Sequence, residues 1–206
     1  MNYGIHYVEL SNVSDIETAI NNMLYASNVN AKNSSIKSAI DAWYAKYLSE
    51  YDEYIEDTIF CNDRTIKSLG GWSPDGEVIT SDDSYLQFQE YSISKDLSCD
   101  RATDQFSTLN NSAKLTYKVG LMSGPEMNLL NRNIICKTGK EYWLASPKYF
   151  FDNFAFMRSI DISGNVSSSG IPYSSPGVRP AISLIPRIEY VSGDGSMATP
   201  YIVKMD

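Results

Sequence analysis

EYWLASPKYFFDNFAFMRSIDISGNVSSSGIPYSSPGVRPAISL, residues 141–184, decides how this chain folds. Its first half is dense in Tyr, Trp, Phe and Ile, whose planar or branched side chains fit a pleated, half-buried surface. A Ser/Gly-rich interval follows, in which DISGNVSSSG predicts a hairpin or an exposed loop. Gly177-Val178-Arg179-Pro180 then leads into the apolar Ala181-Ile182-Ser183-Leu184. The stretch predicts the central sheet and its covering loops, with the residues before it as scaffold.

Immediately upstream, NIICKTGKEYWL over residues 133–144 predicts strand, turn and strand. Pro125 is placed to open a short helix in PEMNLL, because its fixed φ suits a first turn and its missing N–H costs nothing there. Leu115 to Ser123, LTYKVGLMS, has the composition of a strand. Residues 69–84 carry Gly-Gly, Ser-Pro and Asp-Gly pairs that favour turns, and Tyr85 to Asp96 contains a short extended segment. IFCNDRTI, Ile59 to Ile66, leaves a buried edge at Phe60 and Cys61 and puts Asp63 and Arg64 in a polar bend.

Nearer the N-terminus the period changes to that of a helix. Ile36, Ile40, Trp43, Tyr47, Tyr51 and Ile55 recur every three or four residues behind the capping serines Ser34 and Ser35, predicting one long helix or two short ones over 35–56. Acidic residues crowd the C-terminal half, where the helix dipole disfavours them, so an early stop or a partner contact is expected. Ser14 and Glu17 form a capping box before Ile16, Ile20 and Met23 or Leu24, a second amphipathic helix, preceded by a short strand in YGIHYVEL. At the other end, Gly193-Asp194-Gly195 predicts a turn and Tyr201 to Val203 a closing strand.

The resulting expectation is an α+β protein: N-terminal amphipathic helices packed on a small mixed or antiparallel sheet with long loops. Residues 1–33 form a strand and helical segment and 34–206 a single loop-rich module, since no Pro/Gly/Ser-rich linker divides them. The chain has 206 residues, enough to bury a substantial core. Its formal net charge of -8 provides no general positive field for a nucleic-acid backbone. No apolar run approaches the ~20 residues that span a bilayer, and the Met-Asn-Tyr-Gly start lacks the features of a signal peptide.

For chemistry, the sequence offers binding groups before catalytic ones. Asp63, Glu126, Asp152 and Asp161 are scattered, His6 is the single histidine, and GxSxG, HExxH and phosphate-loop patterns are absent. The expectation is a noncatalytic module without a cofactor; an enzyme would need a pocket of mutually oriented titratable groups. Tyr142, Trp143, Tyr149, Phe150 and Tyr173 supply either an aromatic binding patch or packing between sheet and loops. Arg64, Arg158 and Arg179 suit ion pairs that lock loops, with Arg179 fixing the start of the last core strand. Cys61, Cys99 and Cys136 allow one disulfide and a free thiol, or a structural zinc site with His6 or Asp63 as fourth ligand, though their wide spacing lacks a zinc-finger signature.

Phe60-Cys61-Asn62-Asp63-Arg64, Tyr142-Trp143-x-x-Ser146-Pro147 and Gly177-Val178-Arg179-Pro180, in that order, resemble the motifs of loop-rich surface modules of Gram-positive bacteria. The resemblance runs over about residues 30 to 203. Such modules are similar to the C-type-lectin-like and formylglycine-generating-enzyme-like folds, which implies an extracellular or cell-surface module for recognition or assembly. It transfers neither sugar binding nor formylglycine chemistry. It also implies a disulfide between Cys61 and Cys99, tying down the turn-rich region between them. The N-terminal helices resemble, more distantly, the soluble part of minor type IV pilins. The partners these resemblances imply are a surface protein, a pilus subunit or an extracellular glycan.

Overall fold

The computed structural model describes residues 30, 33–68, 84–88, 97–130, 137–151, 154–171, 175–196 and 198–205. The predicted N-terminal strand, the helix over 14–24, and the site residues His6, Cys136, Asp152 and Tyr173 lie outside them.

Helix α1, Ser35–Tyr47, begins where Ser34 accepts the Lys37 amide at 3.0 Å, satisfying one of the donors a helix start leaves open. Its period buries Ile40 and Tyr44 along one face. The expected early stop is present: the α-helix ends at Tyr47, and the acidic residues beyond wind into a 3₁₀ helix, Ser49–Tyr54. Lys118 closes this end, its Nζ donating to the carbonyls of Asp52 at 2.8 Å and Ile55 at 2.9 Å. A cation here offsets both the exposed carbonyls and the surplus carboxylates.

Short strands follow: β1 Ile55–Glu56, β2 Phe60–Cys61, β3 Ile66–Ser68, β4 Ser84–Phe88 and β5 Gln105–Phe106. Then come helix α2, Gly124–Leu129, the long β6, Tyr142–Phe151, β7, Phe154–Ile160, and β8, Val166–Ile171. The chain closes with β9, Ser183–Leu184, β10, Glu189–Ser192, and β11, Ile202–Lys204. One five-stranded sheet in the order β3-β4-β6-β7-β8 is antiparallel throughout, and β1-β9, β2-β5 and β10-β11 make three two-stranded antiparallel pairs. A few helices with several small antiparallel sheets make this a mixed α+β protein.

The opening stretch supplies the centre of that sheet. Pro147 brings no N–H to the ladder, and the β6-β7 register shifts on either side of it. Asp161 turns β7 into β8 by accepting the Ser163 amide at 2.8 Å and the Asn165 amide at 2.9 Å, with Gly164 at φ 88. The first half of β6 is covered on both faces. Trp143 and Ala145 join Ile40, Tyr44, Phe60, Phe106 and Leu121 in one apolar cluster, while Tyr142 and Leu144 join Met127 and Ile160 in another.

Two strand expectations are corrected. Leu115 to Ser123 forms no strand; it is bent backbone whose Gly120 bridges Ala181, with N–H···O distances of 3.0 and 2.9 Å. Leu115, Val119 and Leu121 are nonetheless buried, so apolar side chains followed the core without a ladder partner. Ala181 to Leu184 is likewise not a strand of the central sheet. Beyond the Ala181 bridge to Gly120, its strand is Ser183–Leu184, which pairs with β1, and Leu184 is exposed.

Candidate binding groove

Residues 177–181 run beside the start of β6. The Gly177 N–H donates to the Glu141 carbonyl at 2.7 Å, and the Trp143 N–H donates to the Gly177 carbonyl at 3.0 Å. Next along, the Ala145 N–H donates to the Met122 carbonyl at 2.9 Å. This strapping leaves a groove of about 490 Å³, walled by Tyr142 to Leu144 of β6 and Arg179 to Ile182 of the strap, with Met122, Met127, Leu130 and Tyr201 completing it.

Arg179 is exposed, and its guanidinium lies over the Tyr142 ring, 5.5 Å from the centroid, with Nη1 donating to Tyr142 Oη at 3.4 Å. A guanidinium held over an aromatic face is attracted by the ring quadrupole, which presents the charge at the groove without burying it. Methionine thioethers and aliphatic chains make up much of the rest, surfaces that adapt to an apolar occupant. No Asp, Glu, His or Cys is among the described residues lining the groove. The groove thus has a largely apolar body and one cation at its edge.

The predicted aromatic patch takes a different form. Tyr142 and Trp143 are only 5% and 7% exposed, because the first half of β6 packs on both faces, so they are walls of the groove and of the core, not an open surface. Tyr149 and Phe150 are placed in the β6 register against Phe156 and Ala155. Arg179 clamps the strap onto Tyr142 and does not begin a core strand.

Arg64 is buried, and Nε donates to Asp104 Oδ1 at 2.8 Å while its backbone amide donates to Oδ2 at 3.0 Å. Arg101 meets the same carboxylate, Nε to Oδ2 at 3.1 Å. Burial pushes the Asp104 carboxyl up and the Arg64 guanidinium down, and the bonds between them pull both the other way. Asp63 accepts the Thr65 amide at 2.7 Å, shaping the expected bend. Asp104 itself escaped the sequence reading; the clustered charges of Asp100-Arg101-Ala102-Thr103-Asp104 were its only signal.

Cys61 and Cys99 form a disulfide. In this oxidised form neither sulfur is a thiolate, so the three-cysteine zinc set is not assembled. Among the described residues no three His, Cys, Asp or Glu side chains stand together as metal ligands. Among the described residues, too, no helix is long and apolar enough to cross a membrane. Beside the disulfide lies a second, more polar cavity of about 260 Å³.

Comparison with family models, with curated proteins and with solved structures finds no match to this chain. The class defined by its own geometry is the mixed α+β protein described above.

Proposed function

We propose that this chain is a noncatalytic recognition or adhesion module of C-type-lectin-like plan, working outside the cell or on its surface, and that the groove at Tyr142 and Arg179 is its contact site. The observation that carries this reading is the groove itself: a volume of about 490 Å³, within the ~300–1,000 Å³ typical of ligand sites, with a mainly apolar and aromatic lining and one guanidinium. The Met, Leu, Ile, Ala and Pro side chains of the lining offer no partners to a sugar's hydroxyls, whose burial there would cost lost hydrogen bonds to water. An apolar segment of a surface protein or pilus subunit suits it better than a glycan. The Cys61–Cys99 disulfide supports an oxidising, extracytoplasmic location.

A second reading, a subunit of a surface assembly such as a minor pilin, draws on α1. That helix leaves Trp43 and Tyr47 exposed one turn apart, with ring centroids 6.4 Å apart, a face suited to packing against a neighbour.

The test is saturable binding of labelled protein to intact Gram-positive cells. Arg179→Ala and Tyr201→Ala, both at exposed positions, are expected to weaken binding about tenfold while leaving the unfolding transition in place. Full binding by both variants would remove the groove as the contact site, and loss confined to Trp43→Ala and Tyr47→Ala would favour the assembly reading.

A further inference from the structure

The cavity beside the disulfide is more polar than the groove, and its residues are different ones. Its charged lining is acidic, and its serines and Gln105 offer further acceptor atoms. Both bonds of the Glu126 carboxylate fall on Oε2, from the Ser123 amide at 2.6 Å and the Ser123 hydroxyl at 2.8 Å, and Oε1 takes none among the described residues. Ser146, 9% exposed, accepts the Gly124 amide at 2.9 Å and keeps a second lone pair. Gln105 donates through Nε2 to the Cys99 carbonyl, which leaves its amide oxygen as the accepting end. Asp63 adds a second carboxylate, and no Lys or Arg is among the described residues lining the cavity.

Among the described residues the cavity offers an anion no charged donor. The capping box of α2 already satisfies the Ser123 and Glu126 amides, so no set of open helix donors competes for the site. Hydrocarbon borders these acceptors: Ile59 and Leu97 are 54% and 53% exposed, and Pro125 and the disulfide line the cavity with them. About 260 Å³ lies just below the range of whole-ligand pockets, a size for one side chain.

We propose that this cavity is a socket for a primary ammonium on an aliphatic stem: a lysine side chain presented by a partner protein. The stem lies along Ile59, Leu97 and Pro125, and the three N–H donors meet Glu126, Gln105 and Ser146. Lysine is built in this way, an apolar stem ending in a compact charge. The net charge of -8 draws such a partner in. The assignment stands apart from the groove and does not depend on its role.

Titration of the full chain, followed through the Gly124 and Ser146 backbone amide resonances, tests it with four probes: Nα-acetyl-lysine methylamide, its Nε-acetylated form, the norleucine analogue and free 1,5-diaminopentane. The lysine derivative is expected to shift both amides saturably. Nε-acetylation, or Glu126→Gln in the protein, is expected to weaken it about tenfold or more, since each removes one charge of the pair. Gln keeps an oxygen for the Ser123 amide, so the α2 cap survives. Equal binding of the norleucine analogue, an unaltered affinity in Glu126→Gln, or no shift with any probe would overturn the socket. Tighter binding of the free diamine than of the lysine derivative would overturn the partner-protein assignment.

Discussion

Arg64 and Asp104 lie forty positions apart and are each only 1% exposed. Two ions taken out of water recover much of their lost hydration through each other, so removing one is worse than removing both. Asp104→Ala leaves the Arg64 guanidinium buried beside Arg101 without its carboxylate. A loss of about 3–5 kcal/mol in urea unfolding is the expected outcome; a loss under about 1 kcal/mol would mean that the pair is not buried in solution. The sequence already marked Arg64 as a loop-locking cation, because an Asp-Arg pair in an otherwise apolar-polar bend has few other uses. It did not reveal the partner. Nothing in the spacing of Asp104 says that it returns to residue 64, since a long-range ion pair leaves no periodic trace.

The β10-β11 hairpin is an element that holds itself together. All four residues of β10 are exposed, and the Tyr190 and Tyr201 rings meet edge to face at 5.7 Å. Its turn depends on Gly193 at φ 104, where a Cβ would come within 2.1 Å of the Pro200 carbonyl oxygen. Asp194 organises the rest: the Thr199 hydroxyl and the Ser196 amide donate to its carboxylate and hold its pKa down at about 2. A folded pKa below the unfolded one gives a contribution that is present above about pH 4 and lost as pH falls through about 2. The Asp194 carboxyl resonance should therefore titrate near 2, and Thr199→Val should raise that midpoint toward the ordinary carboxylate range. An unchanged midpoint in the variant would show that the hydroxyl is not its cause. Gly193-Asp194-Gly195 was readable as a turn because only such residues serve there, and the closing strand was placed within a residue. LTYKVGLMS misled because β-compatible side chains mark burial in general, and this segment is buried as bent backbone.

Across the whole molecule, the 38-residue separation closed by Cys61–Cys99 restricts the unfolded chain more than the folded one. Chain-entropy arithmetic puts its contribution at about 4 kcal/mol, or about 10 °C in Tm for a chain of this size. Reduction or Cys99→Ser should lower Tm by that order, and an unmoved Tm would show that the bond carries no stability. Three strands of the central sheet, β6, β7 and β8, were legible because residues 141–184 carry a long, aromatic-rich run, while β3 and β4 come from outside it. The two-residue pairs β1-β9 and β2-β5 were not, since a strand of two residues has no alternation to detect. The groove was half legible: Tyr142 and Trp143 of its wall stood out, while Met122 and Met127 carried no signal of their own.

The β10-β11 pair also sets how the molecule would answer a pull. Load applied across Glu189 and Lys204, which face each other at the open end of the hairpin, breaks its ladder one bond after another, as a zip fastener opens. The length released comes from residues 189–204, and Tyr201, which completes the groove, lies within them, so such a load would open the groove on its Tyr201 side while the strap at Gly177 keeps its bonds to β6.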